Sequence, residues 1–283
     1  MLTLLLGSDW TANRKEILSR IAEDVRDEKP GRILLVPELI SHDTERRLAS
    51  AAGDTSSRFA QVLSFTRLAR RICDLVGNAA QDCLDNGGRV VAMASAARQS
   101  ASRLKAYANV ETKPEFLTEL VDAVDEFKRC CISVEDLMAA SKKTEGIFAQ
   151  KLEELALLLQ SYDAICARGK RDPRDLMNWV LDQLEDMKFA KNHVLYVDGF
   201  PDFTRQNMSI LQHFIKKSPE VVISLNTDSV DSSDPAFEKA AATAKEILSF
   251  AHRENVRVQI ETLSGRKDVL QPVRNGLFQG KIL

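Results

Sequence analysis

Long apolar runs are missing from this 283-residue chain: nothing in it approaches the roughly 18 consecutive apolar residues that a membrane-spanning helix needs. The opening MLTLLLG turns polar too soon to read as a secretory signal. A surplus of one charge is missing too. Thirty-nine Lys and Arg stand against 41 Asp and Glu, a formal net charge of −2, so any contact with nucleic acid has to come from a local patch. Cys73, Cys83, Cys130, Cys131 and Cys166 contain no CxxC pair and have no His at metal-ligand spacing. They read as reduced thiols of a cytoplasmic protein, with the vicinal Cys130–Cys131 as one buried and one exposed helical thiol. His42, His193, His213 and His252 are scattered and no G-x-S-x-G occurs, which leaves no hydrolase triad. Internal repeats and low-complexity tracts are absent as well.

What remains is globular: 44% apolar, 28% charged, and long enough for one large or two modest domains with a buried core. Leu2 to Leu6, Arg32 to Val36 and Gln61 to Phe65 read as strands, each followed by a helical pattern. The first helix spans about Thr11 to Glu28 with Ile17, Leu18, Ile21 and Val25 on one face and stops at KPG. The second starts near Ser41, and the third, TRLARRICDLVG, stops at Gly77. From about residue 79 to 191 only helical periodicity is visible, after which HVLYVDGF, EVVISLNTD and VRVQIETL resume the strand–helix alternation. The expectation is an α/β fold, a parallel sheet with helices on both faces, interrupted by an all-helical insertion. Residues 1–78 and 192–270 form the discontinuous core, 79–191 the insertion, and 271–283 the start of a connection to further domains.

Three segments carry chemistry. LLLGSDWTANRKEIL lies where a nucleotide-binding fold keeps its phosphate loop. Counted from Gly7, the later glycines fall on Trp10 and Ala12, the Lys on Asn13 and the Ser/Thr on Arg14. β-Carbons block the close approach of backbone to phosphate, and neither the cation nor the metal-holding hydroxyl is in place. Arg14 or Lys15 could still offer charge to an anion at the helix N-terminus; the alternative is an ordinary strand-to-helix turn. Asp198, in LYVDGFPDF, stands at the end of a parallel strand, where such folds place a metal-coordinating carboxylate, and Asp-Gly there is equally a common turn. RFAQVLSFTRLARRIC sets Arg58, Arg67, Arg70 and Arg71 beside Phe59 and Phe65 without an acid. That suits phosphate contact and base stacking on a single strand, or a solvated helix face with Phe65 in the core. ARGKRDPR (167–174) reads as a solvated helix–helix loop, with Asp172 as N-cap ahead of Pro173.

Taken in order, LLLGSDWTANRKEIL, ILLVPELISHDTERRL, QVLSFTRLARRI, DEFKRCCISVEDL, KLEELALLLQSYDAI and HVLYVDGFPDFTRQNMSILQHFI resemble the N-terminal region of the AddB (RexB-like) subunits of bacterial helicase/nuclease complexes. The resemblance covers essentially the whole chain. It implies a P-loop NTPase scaffold of the superfamily 1 helicase type, with this stretch as the first motor-like domain. In that family the subunit continues into a second motor-like domain and a nuclease domain with an iron–sulfur cluster, and the complex resects double-strand DNA ends for recombinational repair. The partner, AddA, supplies the active motor, while AddB scans the single strand for a hotspot sequence.

The family's phosphate loop, GxxGxGKT, binds ATP and magnesium. Here the matching positions make Gly7, Asn13, Arg14, Lys15 and Asp198 a degenerate nucleotide site, and no cofactor is expected of this stretch. After Pro37 the family's Gln and Thr are replaced by Leu39 and Ser41, which puts hotspot reading in doubt. Phe65, Arg67, Phe200, Phe203, Thr204 and Gln206 stand where the family has its matching residues and by analogy line the path of single-stranded DNA, with Arg70 on phosphate. The implied partners are thus single-stranded DNA and an AddA-type subunit; a pure scaffold for that subunit is the alternative.

Overall fold

The computed structural model describes residues 1–77 and 83–263; the connection expected at 271–283 lies outside the described residues. Six strands are present among them: β1 (Leu2–Leu6), β2 (Arg32–Leu35), β3 (Ala60–Leu63), β4 (Val194–Val197), β5 (Val221–Leu225) and β6 (Val258–Thr262). They form one all-parallel sheet in the order β3-β2-β4-β5-β1-β6. The helices, in chain order, are α1 (Trp10–Arg26), α2 (Ser41–Ala52), α3 (Phe65–Val76), α4 (Asn86–Ser100) and α5 (Pro114–Arg129). They are followed by α6 (Val134–Ser141), α7 (Gly146–Arg168), α8 (Leu176–Asp186), α9 (Arg205–Lys217) and α10 (Glu238–Arg253).

Every residue of β1 and β5 is buried, the mark of strands covered on both faces. On one face, Ile17, Leu18, Ile21 and Val25 of α1 and Leu48 of α2 pack on Leu5, Leu34, Val62, Tyr196 and Val222. The alternate strand residues Leu4, Leu35, Val197 and Ile223 are buried as well, as are Ile210, Leu211 and Phe214 of α9 and Ala244 and Ile247 of α10. The expected α/β architecture is therefore present. One boundary differs with consequence: β3 ends at Leu63, and Phe65 opens α3 rather than closing a strand. Ser64 is the cause, because its hydroxyl accepts the Arg67 N–H (3.2 Å) and so starts the helix.

The chain divides into two compact units. One holds the sheet: Met1–Arg71, Leu181–Phe203 and the chain from Asn207 on. The other is helical, Ile72–Val180 with Thr204–Gln206, around a core that includes Met93, Leu120, Val124, Leu158, Leu159 and Tyr162. The segment 167–174 is not simply solvated. Asp172 is wholly buried; it caps Arg174 N–H (2.8 Å) as expected, but it also accepts the Tyr162 hydroxyl (2.7 Å) and an Arg89 guanidinium N–H (3.3 Å). Cys130 and Cys131 are both exposed, against the expectation of one buried. The helix ends at Arg129 and Cys131 takes a positive φ of 52°, so neither thiol sits on the packed helical face. Among the described residues no helix is long and apolar enough to cross a membrane.

The run 89–108, continuous in helical pattern, breaks after Ser100 because Glu154 captures the backbone beyond it. Its carboxylate accepts the N–H groups of Lys105 (3.0 Å), Ala106 (3.0 Å) and Tyr107 (2.9 Å), and the Gln150 amide (2.9 Å). Burial by itself would raise the Glu154 pKa, yet these donors hold it below the usual 4.5. A depressed folded pKa contributes stability that is complete above the unfolded value and lost as pH falls through the folded one. We therefore expect the amides of residues 105–107 to lose exchange protection as pH drops below about 4.5. Glu154→Gln should loosen the same amides at neutral pH by about 1–3 kcal/mol. Protection unchanged on acidification would show that the carboxylate does not hold this loop.

Candidate functional site

The phosphate-loop position is filled by the chain's own side chains. Asp9 ends the turn after β1 in extended backbone (φ −107°) and its carboxylate accepts the N–H groups of Thr11 (2.9 Å) and Ala12 (3.4 Å). Those are the donors that would face a phosphate at a helix N-terminus; here they already carry a negative charge. Asn13 occupies the space over Gly7: its amide donates to Gly7 O (3.0 Å) and Leu225 O (3.2 Å), and a β-carbon on Gly7 would lie 2.1 Å from Asn13 Oδ1. Asn226, with its amide turned to donate, reaches Gly7 O (3.0 Å) and Ser8 O (3.1 Å).

Asp198 directly follows β4, which β5 separates from β1 in the sheet. Instead of facing an open cavity, it takes Arg14 Nε at 2.7 Å, with 9% of the Arg14 and 4% of the Asp198 side chain exposed. Its second oxygen accepts the Ser224 hydroxyl (2.5 Å) from the end of β5. Gly199 has φ +83°, a backbone conformation that favours glycine, and a β-carbon there would stand 3.2 Å from Arg14 Nη2. Trp10, 57% exposed, lies under the Arg14 guanidinium at 5.1 Å. Of the five residues of the expected nucleotide site, the structure brings Gly7, Asn13, Arg14 and Asp198 together, bonded to one another or to backbone. Lys15 is exposed and in no ion pair among the described residues. Asp9, Ser224 and Asn226 were not singled out from the sequence, although an Asp directly before a helix is a legible cap.

The second candidate is the carboxyl edge of the neighbouring strands β3, β2 and β4, where open parallel sheets place their ligands. The segments leaving β3 and β4 bring together Phe65, Phe200 and Phe203, with ring centroids 5.5 Å (Phe65–Phe200), 6.2 Å (Phe65–Phe203) and 5.1 Å (Phe200–Phe203) apart. Phe65 is only 5% exposed and meets both partners edge-on, while Phe200 and Phe203 are half-buried. Leu39, after β2, is 98% exposed. Arg67 is half-exposed and paired with Glu45 (2.6 Å), Arg70 is exposed, and Glu38 accepts the Ser64 hydroxyl. Thr204 and Gln206 belong to the helical unit. Thr204 is exposed, whereas Gln206 is buried and its amide donates to Arg174 O (3.1 Å) and Asn178 Oδ1 (3.3 Å).

Among the described residues no group of three or more His, Cys, Asp or Glu is placed to hold a metal. What the edge offers is a pair of half-open aromatic faces backed by a buried third, with guanidinium groups on the adjoining helix.

Comparison with known proteins bears on the chain as a whole. The family model described as ADDB, N-terminal matches residues 4–273. A protein of Caldanaerobacter subterraneus subsp. tengcongensis, named as the B subunit of an ATP-dependent helicase/deoxyribonuclease, is 28% identical over 231 residues, 80% of this chain and 20% of that protein. Proteins of the same name from Thermoanaerobacter sp. (strain X514) and Clostridium tetani are each 27% identical, over 89% and 86% of this chain and 22% of their own length. The chain thus spans about a fifth of the length of these relatives.

Proposed function

We propose, from the premise that this chain belongs to the ADDB, N-terminal family, that it is a nucleotide-silent, helicase-like domain lining the path of single-stranded DNA. The parent would be a helicase/deoxyribonuclease subunit that processes double-strand DNA ends alongside an AddA-type motor. The observation that carries this reading is the meeting of Phe65, Phe200 and Phe203 at one sheet edge with Arg67 and Arg70 on α3. Phe200 and Phe203 are the stacking faces, and Phe65 is the wall that holds them. Arg70 is the exposed phosphate contact, and Arg67 contributes once Glu45 yields it. Thr204, next in the chain after Phe203, is an exposed residue, and Gln206 donates its amide N–H to Arg174 O and Asn178 Oδ1. Silence toward nucleotide follows from Asp9, Asn13 and Arg14 standing where phosphate, backbone clearance and metal would be needed.

A labelled oligonucleotide titration tests it. Single-stranded DNA should bind more tightly than duplex, with affinity falling steeply with salt. Phe200→Ala or Phe203→Ala should each remove about 1–3 kcal/mol, the worth of one stacked base. Arg70→Ala should lower the salt slope by about one ion. A second reading, a scaffold that only docks the motor subunit, is favoured by the Arg67–Glu45 pair and by Glu38 at the same edge. No binding even at low salt would decide for the scaffold.

A further inference from the structure

The outer side of α1 carries a groove that the sealed loop and the aromatic edge leave unused. Trp10, Arg14, Leu18, Ala22 and Arg26 recur every fourth residue and line it along the whole helix, and Arg47 closes it from α2. At 1.5 Å rise per residue the helix makes it about 24 Å long. Its floor is aliphatic, since Leu18 and Ala22 are almost fully buried. Its head is the exposed indole of Trp10. Its rim is basic: Lys15 is in no ion pair among the described residues, Arg26 touches Glu23 only at 3.8 Å, and Arg47 holds Asp43 in an exposed pair of the kind worth about 0–1 kcal/mol. Among the described residues no carboxylate lines the groove, in a chain whose acids outnumber its bases.

We infer that this groove is a docking slot for an acidic amphipathic segment of a protein partner. The charge is complementary to carboxylates, and the length matches about four helical turns. The floor takes aliphatic side chains at i and i+4 spacing, as helix-in-groove recognition does. Nucleic acid fits less well: stacking of successive bases asks for aromatic platforms along the track, and here the one aromatic sits at the end. The inference stands apart from the DNA path, which lies on other residues at the carboxyl edge of the sheet.

The chain has two tryptophans, so Trp179→Phe leaves Trp10 as the sole indole reporter at the head of the slot. The probe is a synthetic helical peptide of about four turns with leucine at every fourth position and Glu or Asp between, set against a dT oligonucleotide of equal charge. A saturable blue shift or quench with the peptide is expected, weakened about tenfold or more by Lys15→Glu with Arg26→Glu and absent with the oligonucleotide. No saturable change, a change indifferent to charge reversal, or an equal response to the oligonucleotide would each overturn the inference. The DNA titration, read with Phe200 and Phe203 variants, succeeds or fails independently of this one.

Discussion

Arg14→Ala is expected to cost the sheet unit about 3 kcal/mol, because removing one partner of a buried ion pair strands the other charge in a low-dielectric place. For a unit of this size that is a drop of roughly 6–12 °C in melting temperature. Asp198→Ala should cost a similar amount, since it strands the guanidinium and frees the Ser224 hydroxyl together. The double variant is the informative one. With both charges gone only the cavity and the orphaned hydroxyl remain, so its loss should fall well short of the sum of the two single losses. Urea unfolding of the four proteins in this cycle gives the coupling directly. Additive losses would mean that Arg14 and Asp198 do not depend on each other.

The same pair bears on the proposed silence toward nucleotide. In a working phosphate loop the strand-end carboxylate and the loop are tied together through metal and phosphates, so their mutual position depends on what is bound. Here Arg14 bridges α1 to the end of β4 without help, and Asp9 neutralises the helix N-terminus. ATP with magnesium should therefore leave the melting temperature of the unaltered chain unchanged, since a ligand stabilises only the state it binds. A rise with nucleotide would show the loop still accepts phosphate, and the proposed silence would be wrong. Unchanged melting with nucleotide would agree with the proposed passive role of the domain.

The loop's departure from the phosphate-loop pattern was legible from residue types alone: an indole at one glycine position, alanine at the other, and asparagine in place of the lysine. Where the replacements would go was not. Arg14 and Asp198 lie 184 positions apart, and they meet only because the strand order leaves just β5 between β4 and β1. Strands β1 and β5 were legible because runs of buried, mostly apolar residues leave few alternatives. Phe65 was assigned to a strand end because the apolar run QVLSF hides the stronger local signal, a serine followed by a helical pattern. In the structure Phe65 is 5% exposed, as the core alternative had it, while Phe200 and Phe203 are half-buried. Gln206 misleads in a similar way: its type suits contact with a base, but its burial is decided by packing that no local pattern records.

Asp172→Ala should be as damaging to the helical unit as Arg14→Ala is to the sheet. Asp172 lies at the centre of a mostly buried network. Arg89 from α4 reaches both Asp125 and Asp172, and Lys128 from α5 lies 3.5 Å from Asp172, 3.0 Å from Asp163 and 2.7 Å from Asp175. Arg174 closes on Asp125 at 2.7 Å and the Tyr162 hydroxyl donates to Asp172. Three cations and four carboxylates thus join α4, α5, α7 and the turn into α8. Burial, chiefly, and the adjacent Asp172 charge raise the Tyr162 pKa, so the phenol stays a donor. Burial also works against charge on Asp125, yet Arg174 and Arg89 hold its pKa below the usual 3.8. Removing the Asp172 carboxylate leaves Arg89, Lys128 and the Tyr162 hydroxyl each one acceptor short, a loss of about 3–5 kcal/mol. Tyr162→Phe removes only the hydroxyl and leaves the charges in place, and should cost about 1–2 kcal/mol. Exchange protection separates the two units: Asp172→Ala should expose the amides of α4, α5 and α7 while β1 and β5 keep theirs. Equal losses for the two variants would mean that the hydroxyl contact, and not the charge on Asp172, is what holds these helices together.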